Sequence, residues 1–141
     1  MKLSARNIFT GTVAGIKKGA VNAEVSLSLT GGAVIVATIT IGSVETLGLS
    51  VGKEASAIVK ASTVIIGTDL HNANVSARNV MCGKIVKIIE GPVNAEVDVE
   101  IGTGNIITAV ITLESAKRLE LKEGGHADAM FKASSVIIGV N

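Results

Sequence analysis

Two matched sets of side chains could do chemistry, and both consist of hydrogen-bond donors and cations. The first is Ser4, Arg6, Thr40, Ser43 and Lys60; the second is Ser76, Arg78, Thr112, Ser115 and Lys132. Ala61-Ser62 follows the first lysine and Ala133-Ser134 the second. Hydroxyls can donate, guanidinium groups offer forked charged donors, and ammonium groups supply compact charge. A fully deprotonated tetrahedral oxyanion only accepts hydrogen bonds, so a donor-only set suits it. A helix starting beside Thr40-Ser43 or Thr112-Ser115 would add free N–H groups and a favourable dipole. Glu24 and Glu96 stand outside the set, because a carboxylate repels an anion. Asn7 and Asn79 are assigned to orienting the loop. Taken singly, each arginine could be an ordinary ion pair, each lysine a solvated strand end and each serine a cap. Recurrence of the whole set favours the anion reading, although duplication also preserves structural residues.

Catalysis finds little support. His126 aligns with Glu54, and His71 has no counterpart in the other half, so it reads as a solvated linker residue. No His, Cys and acidic residues stand at metal-ligand spacing, so the metal expectation is none, apart from a metal carried as its oxyanion. The catalytic and cofactor expectations are likewise none. Neither GxGxxG nor GxxxxGK[ST] occurs, and Gly102-Thr103-Gly104 reads as a turn.

The elements that position these residues come from an internal repeat. Residues 4–69 align without a gap on 76–141, with 30 identities over 66 positions. The expected division is a domain over 1–69, a linker over 70–75 and a second domain over 76–141. Val21, Ala23, Val25, Leu27 and Leu29 alternate with polar residues, the period of a half-buried strand. Thr30-Gly31-Gly32 suits a tight turn, and the apolar run from Ala33 to Ile41 a second strand. An earlier strand spans Ile8 to Ile16, with Gly11 and Gly15 allowing bends or bulges. Ser43 is expected to cap a short helix through Leu47, and Ser115 one through Leu121. Ala55–Val59 and Val64–Ile66 complete the set. Three strands, a short helix and two strands are the order of an OB-type barrel. The expected fold is all-β: two tandem OB-like five-stranded barrels, each with a short helix between strands 3 and 4.

Composition excludes several partners. Net charge is +1, so no bulk field points to nucleic acid or an acidic membrane. Phe9 and Phe131 are the only aromatics, a poor supply of stacking surface for single strands. Residues 25–44 form an uncharged run of bilayer length, but polar alternation and Gly31-Gly32 divide it into two strands. No secretion signal is expected at the N-terminus. Cys82 is the single cysteine; it excludes an intrachain disulfide, reads as a small, partly buried strand residue and suits a reducing compartment. Domains of this size bury limited surface, which favours a compact oligomer.

Ser-Ala-Arg-Asn near each domain start, then Gly-x-Val-Asn-Ala-Glu-Val and Lys-Ala-Ser before an Ile-rich end, resembles the Mop domain. Two in tandem resemble a molbindin of the double-domain kind, over residues 4–141. The resemblance implies a cytoplasmic homo-oligomer, most simply a homotrimer, that binds molybdate or tungstate at domain interfaces for storage or homeostasis. It implies the same Ser, Arg, Thr, Ser and Lys positions as ligands, with backbone donation around Ala61-Ser62 and Ala133-Ser134. Relatives that fuse this pair to a DNA-binding or ATPase domain set a different expectation, and neither segment is expected here. Turns at Val21-Asn22-Ala23 and Val93-Asn94-Ala95 could converge on a trimer axis as a further anion site. Lys17-Lys18 precedes the first turn and Ile89-Glu90 the second, so the first-repeat end should hold a dianion more readily. A nucleic-acid-binding OB protein and a purely structural oligomeriser are the alternatives from other classes.

Overall fold

The period-two pattern of residues 21–29 becomes a strand whose apolar side chains all face inward: Ala23, Val25, Leu27 and Leu29 are buried. The computed structural model describes residues 1–102 and 104–141; Thr103, inside the expected Gly102-Thr103-Gly104 turn, lies outside the described residues. The first repeat contains β1 (Asn7–Lys18), β2 (Asn22–Leu29), β3 (Val34–Thr40), α1 (Ile41–Thr46), β4 (Glu54–Val59) and β5 (Ile65–Gly67). The second contains β6 (Asn79–Glu90), β7 (Asn94–Ile101), β8 (Asn105–Thr112), α2 (Leu113–Arg118), β9 (His126–Phe131) and β10 (Ile137–Gly139). The element order is the OB-like one expected. A 3-10 turn over Ala61–Thr63 or Ala133–Ser135 precedes each last strand, a feature the sequence pattern did not announce.

The helices begin earlier than expected. Thr40 and Thr112, not Ser43 and Ser115, are the caps. Both have extended backbones, and each Oγ1 accepts the serine N–H three residues on, at 3.0 Å. That geometry satisfies a donor the first helical turn leaves free. α2 correspondingly ends at Arg118, short of Leu121.

Bulges fall between Val13 and Gly15 and between Ile85 and Lys87. Since Lys87 replaces glycine in the second repeat, the bulge does not require Gly15. Gly11 and Gly83 are required for another reason: a Cβ there would strike backbone of the neighbouring strand at Ser28 and Glu100.

The last strands are exchanged. The sheets run β10-β4-β1-β2-β3 and β5-β9-β6-β7-β8, so each repeat's sheet is completed by the other repeat's final strand. Ile137, Ile138 and Gly139 pair with Ile58, Ala57 and Ser56, while Ile65, Ile66 and Gly67 pair with Met130, Ala129 and Asp128. In β4 every residue after Glu54 is buried, and β10 gives that strand its neighbour on the side away from β1. The sequence boundary near residue 69 is therefore not the boundary between sheets. Apolar residues of both repeats form one continuous core.

Buried asparagines stitch the same seam. The Asn7 carboxamide donates to the Thr108 carbonyl (2.8 Å) and accepts from the Thr108 N–H (2.7 Å). Asn79 does the same with Val36, at 2.8 Å in both directions.

Candidate functional site

Ser4, Arg6, Lys60, Ala61 and Ser62 meet at one cavity of about 570 Å³. The stretch before β1 brings the serine and arginine, and the 3-10 turn after β4 brings the Lys-Ala-Ser segment. Leu3, Ile58 and, from the second repeat, Val110 and Ile137 form the apolar wall. The turn's own bonds run from the Thr63 and Val64 N–H groups to the Lys60 and Ala61 carbonyls. The Ala61 and Ser62 N–H groups are not used within it. Ala61 is buried, so its contribution is backbone alone. The second repeat builds the equivalent turn, with Ser135 and Val136 bonded back to Lys132 and Ala133, leaving the Ala133 and Ser134 N–H groups outside those bonds. Each turn packs on the third strand of the other repeat, the first against β8 and the second against β3.

Thr40 and Ser43 do not join that cavity. They line a separate depression of about 290 Å³ with Ile39, Leu47 and Val136 to Ile138. The two spaces share Ile137 as a wall. Thr40 donates to the Ser43 hydroxyl at 2.9 Å while accepting the Ser43 N–H, so only Ser43 keeps a hydroxyl proton to offer. Thr112 and Ser115 repeat this at 2.7 Å. The helix N–H groups are also partly used, because Ile41 and Leu113 donate to the carbonyls of Val21 and Val93. The free helix start expected from sequence is therefore only partly free.

The glutamates left outside the site turn out to sit on its arginines. Arg6 pairs with Glu96, and Arg78 pairs with Glu24 at 2.7 Å. Both pairs cross between repeats. The hydrogen bond from Arg6 and its charge hold the Glu96 carboxyl below the usual carboxylate range. One nitrogen of each guanidinium contacts the carboxylate, and each fork has further donors. Glu24 and Glu96 recur at the same offset as the arginines, but that recurrence does not say which arginine each one meets.

At the two β-turns, Val21 and Val93 are about 70% exposed (71% and 69%), whereas Ala23 and Ala95 are buried and have no polar side chain to offer. Lys17, Lys18, Asn22 and one carboxylate, Glu24, line a depression of about 260 Å³. A different depression of the second repeat, lined by Pro92, Val93, Thr112, Leu113, Glu114 and Lys117, holds the Thr112 cap beside the Val93 turn. His126 borders a different cavity, between Leu119 and β9, which holds none of the expected ligands. His71 is exposed, as its solvated reading expects, and its ring Nδ1 also lies 2.8 Å from a carboxylate oxygen of buried Asp128. Cys82 is exposed, not partly buried.

These features define a class, a duplicated OB-like barrel protein with paired donor-rich, carboxylate-poor turns at the seam between repeats. The model of the TOBE domain matches residues 3–66 and 75–138. The chain belongs to this family, as a tandem Mop-type member. It is 44% identical over 140 residues to the molybdenum transport protein ModE of Azotobacter vinelandii. It is 42% identical over 140 residues to the molybdenum-pterin-binding protein MopA of Rhodobacter capsulatus. Both matches cover 99% of this chain but 52% and 53% of the relatives, so the chain spans about half their length. A solved structure of the cytoplasmic molybdate-binding protein ModG, with molybdate bound, superposes with a TM-score of 0.95 at 47% identity, covering 100% of both chains. No helix among the described residues is long and apolar enough to cross a membrane.

Proposed function

We propose that this chain binds molybdate or tungstate as the intact tetrahedral dianion, for storage or homeostasis in the cytoplasm, and catalyses no reaction. The observation that carries the reading is the cavity lined by Ser4, Arg6, Lys60, Ala61 and Ser62 with no carboxylate among its lining residues. The molybdenum-related names of the relatives support it, as does the molybdate held by the ModG structure. By the internal repeat, Ser76, Arg78, Lys132, Ala133 and Ser134 are assigned to an equivalent second site. Burial of Phe9 and Phe131 leaves no aromatic platform for nucleic acid, which weighs against that alternative.

The reading includes a homotrimer. Ser43 lines a depression separate from the cavity of Lys60, and a neighbouring chain would bring the two halves of the donor set together. Ile65 and Ile137, at 52% and 57% exposure, offer apolar surface beside the site for that contact. Calorimetry against molybdate, tungstate, sulfate and phosphate, with sedimentation on the same sample, tests both parts. Molybdate and tungstate should bind well above the others. Hydrogen phosphate brings a proton that a donor-only site cannot accept, a mismatch costing about 1–3 kcal/mol. Sulfate has the right charge but is smaller and should make fewer short contacts. Equal competition by sulfate would overturn the selectivity, and a monomer with full affinity would overturn the shared site.

Arg78→Ala and Lys132→Ala should each weaken molybdate binding with the melting temperature retained. Charge-assisted bonds contribute about 1.5–3 kcal/mol, so a loss of roughly tenfold to a hundredfold is expected. Both cations stay charged through neutrality, and binding should be nearly flat from about pH 6.5 to 9. A steep change there would place a titrating group in the site.

The turn at Val21-Asn22-Ala23 is a further candidate at the trimer axis, favoured over Val93-Asn94-Ala95 by Lys17 and Lys18. The double substitution Lys17→Ile with Lys18→Glu should lower the molybdate count per oligomer, most visibly at low salt where exposed charges are least screened. An unchanged count at both salt concentrations would remove the axial site from this end.

A further inference from the structure

The second repeat carries a cluster that the first lacks. His71 Nδ1, Cys82 Sγ and a carboxylate oxygen of Asp128 lie within 4.8 Å of one another. We propose that His71, Cys82 and Asp128 bind one zinc-type divalent cation per chain, at a site separate from the oxyanion cavity and absent from the first repeat.

The repeat supplies its own control. Cys82 and Asp128 face each other across β6 and β9, as Thr10 and Ser56 do across β1 and β4. In the first repeat the Thr10 and Ser56 hydroxyls simply bond to each other at 2.9 Å. That pair is sufficient for an OB-like sheet. In the second repeat both positions carry metal-ligating side chains instead, and a histidine stands over them.

The histidine is held there by the chain that crosses between repeats. Gly67 pairs with Asp128, and a Cβ on Gly67 would lie 2.8 Å from Leu70 side-chain carbons. Leu70 therefore docks against bare backbone and fixes a 3-10 turn over Leu70–Asn72. The His71 N–H donates to Asp128 Oδ2 at 3.2 Å, and its ring Nδ1 lies 2.8 Å from the same oxygen. Asp128 is buried, with its side chain 3% exposed, while His71 and Cys82 reach the surface. An ion can enter from solvent, and water can fill the fourth position.

The ligand types select the ion. Thiolate, imidazole and carboxylate together suit a borderline-soft cation, zinc first. Zinc bonds of roughly 2.0–2.3 Å in a tetrahedron place neighbouring ligand atoms roughly 3.4–3.6 Å apart. The His71–Asp128 separation of 2.8 Å must open and the wider separations, all within 4.8 Å, must draw in, both by side-chain adjustments of about an ångström. Binding releases the Cys82 thiol proton and any Nδ1 proton to solvent, and it ties the crossing segment to the second sheet.

The test uses the full chain, stripped with a chelator, then titrated with Co²⁺ by absorption and with Zn²⁺ in competition with a chromophoric chelator. One equivalent of Co²⁺ should produce a thiolate charge-transfer band. The double variant Cys82→Thr with Asp128→Ser reinstates the first repeat's pair and should fold. It should lose that band and bind Zn²⁺ at least about a hundredfold more weakly, since loss of an outer-shell partner alone costs roughly 10–100-fold. Cys82→Ser is the gentler second variant and should lose the band too. Its molybdate binding should be unchanged, which keeps this result independent of the oxyanion reading. No band in the unsubstituted chain, or equal Zn²⁺ affinity in the chain and its double variant, would overturn the proposal.

Discussion

Truncation after Ser135 is expected to loosen the sheet of the first repeat, although every residue removed belongs to the second. β10 pairs with β4, and its loss exposes one edge of a strand whose residues after Glu54 are all buried. Val136 and Ile138, themselves buried, leave with it. Burying one such side chain contributes about 1.5–3 kcal/mol, so the two account for about 3–6 kcal/mol before any ladder bond is counted. Whole domains have only about 5–15 kcal/mol of stability, so the truncated chain should be close to unfolding. Hydrogen exchange locates the damage. Protection should fall first at Ser56, Ala57 and Ile58, the pairing partners of Gly139, Ile138 and Ile137. Loss confined to Asp128, Ala129 and Met130 would mean that each repeat closes its own sheet.

Strand exchange was not legible in the sequence, and the reason is physical. Two repeats of one fold present equivalent edges, those of β4 and β9, to either final strand. Val64-Ile65-Ile66-Gly67 and Val136-Ile137-Ile138-Gly139 share every residue, so side-chain pattern cannot say which edge each one joins. Burial of β4 demands a strand on that edge without specifying which of the two identical segments supplies it. Elements with their own period were legible: β2 and β7 alternate cleanly, and the turns between strands carry glycine. The caps were misread by three residues because Thr and Ser both serve at that position, and only the extended backbone of Thr40 and Thr112 decides between them. Among site residues, the recurrence of Ser, Arg and Lys revealed the donor set. It could not reveal that Arg6 reaches Glu96 in the other repeat, or that Ser43 lies apart from Lys60. The His71, Cys82 and Asp128 cluster has no sequence spacing to betray it. It arises where the crossing chain meets a cross-strand pair.

Replacing Asn7 or Asn79 with leucine should destabilise the chain more than removal of any surface ion pair. Each asparagine is 2% exposed, and each carboxamide serves one backbone N–H and one carbonyl on the edge strand of the other repeat. β3 and β8 are the outermost strands of their sheets, so Val36 and Thr108 have no strand neighbour on that side. The carboxamide acts as a one-residue strand that satisfies the edge. Leucine fills nearly the same volume but leaves both groups unpaired in a buried place. A buried unsatisfied group costs about 1–3 kcal/mol, so each substitution should cost about 2–6 kcal/mol. By contrast, an exposed pair such as Arg78 with Glu24 contributes about 0–1 kcal/mol. Urea unfolding measures the difference: the midpoint should fall sharply while the slope stays constant, as it does when stability alone changes. A loss below about 1 kcal/mol would mean that water reaches the seam, because only solvent could then satisfy the two groups the asparagine had bonded.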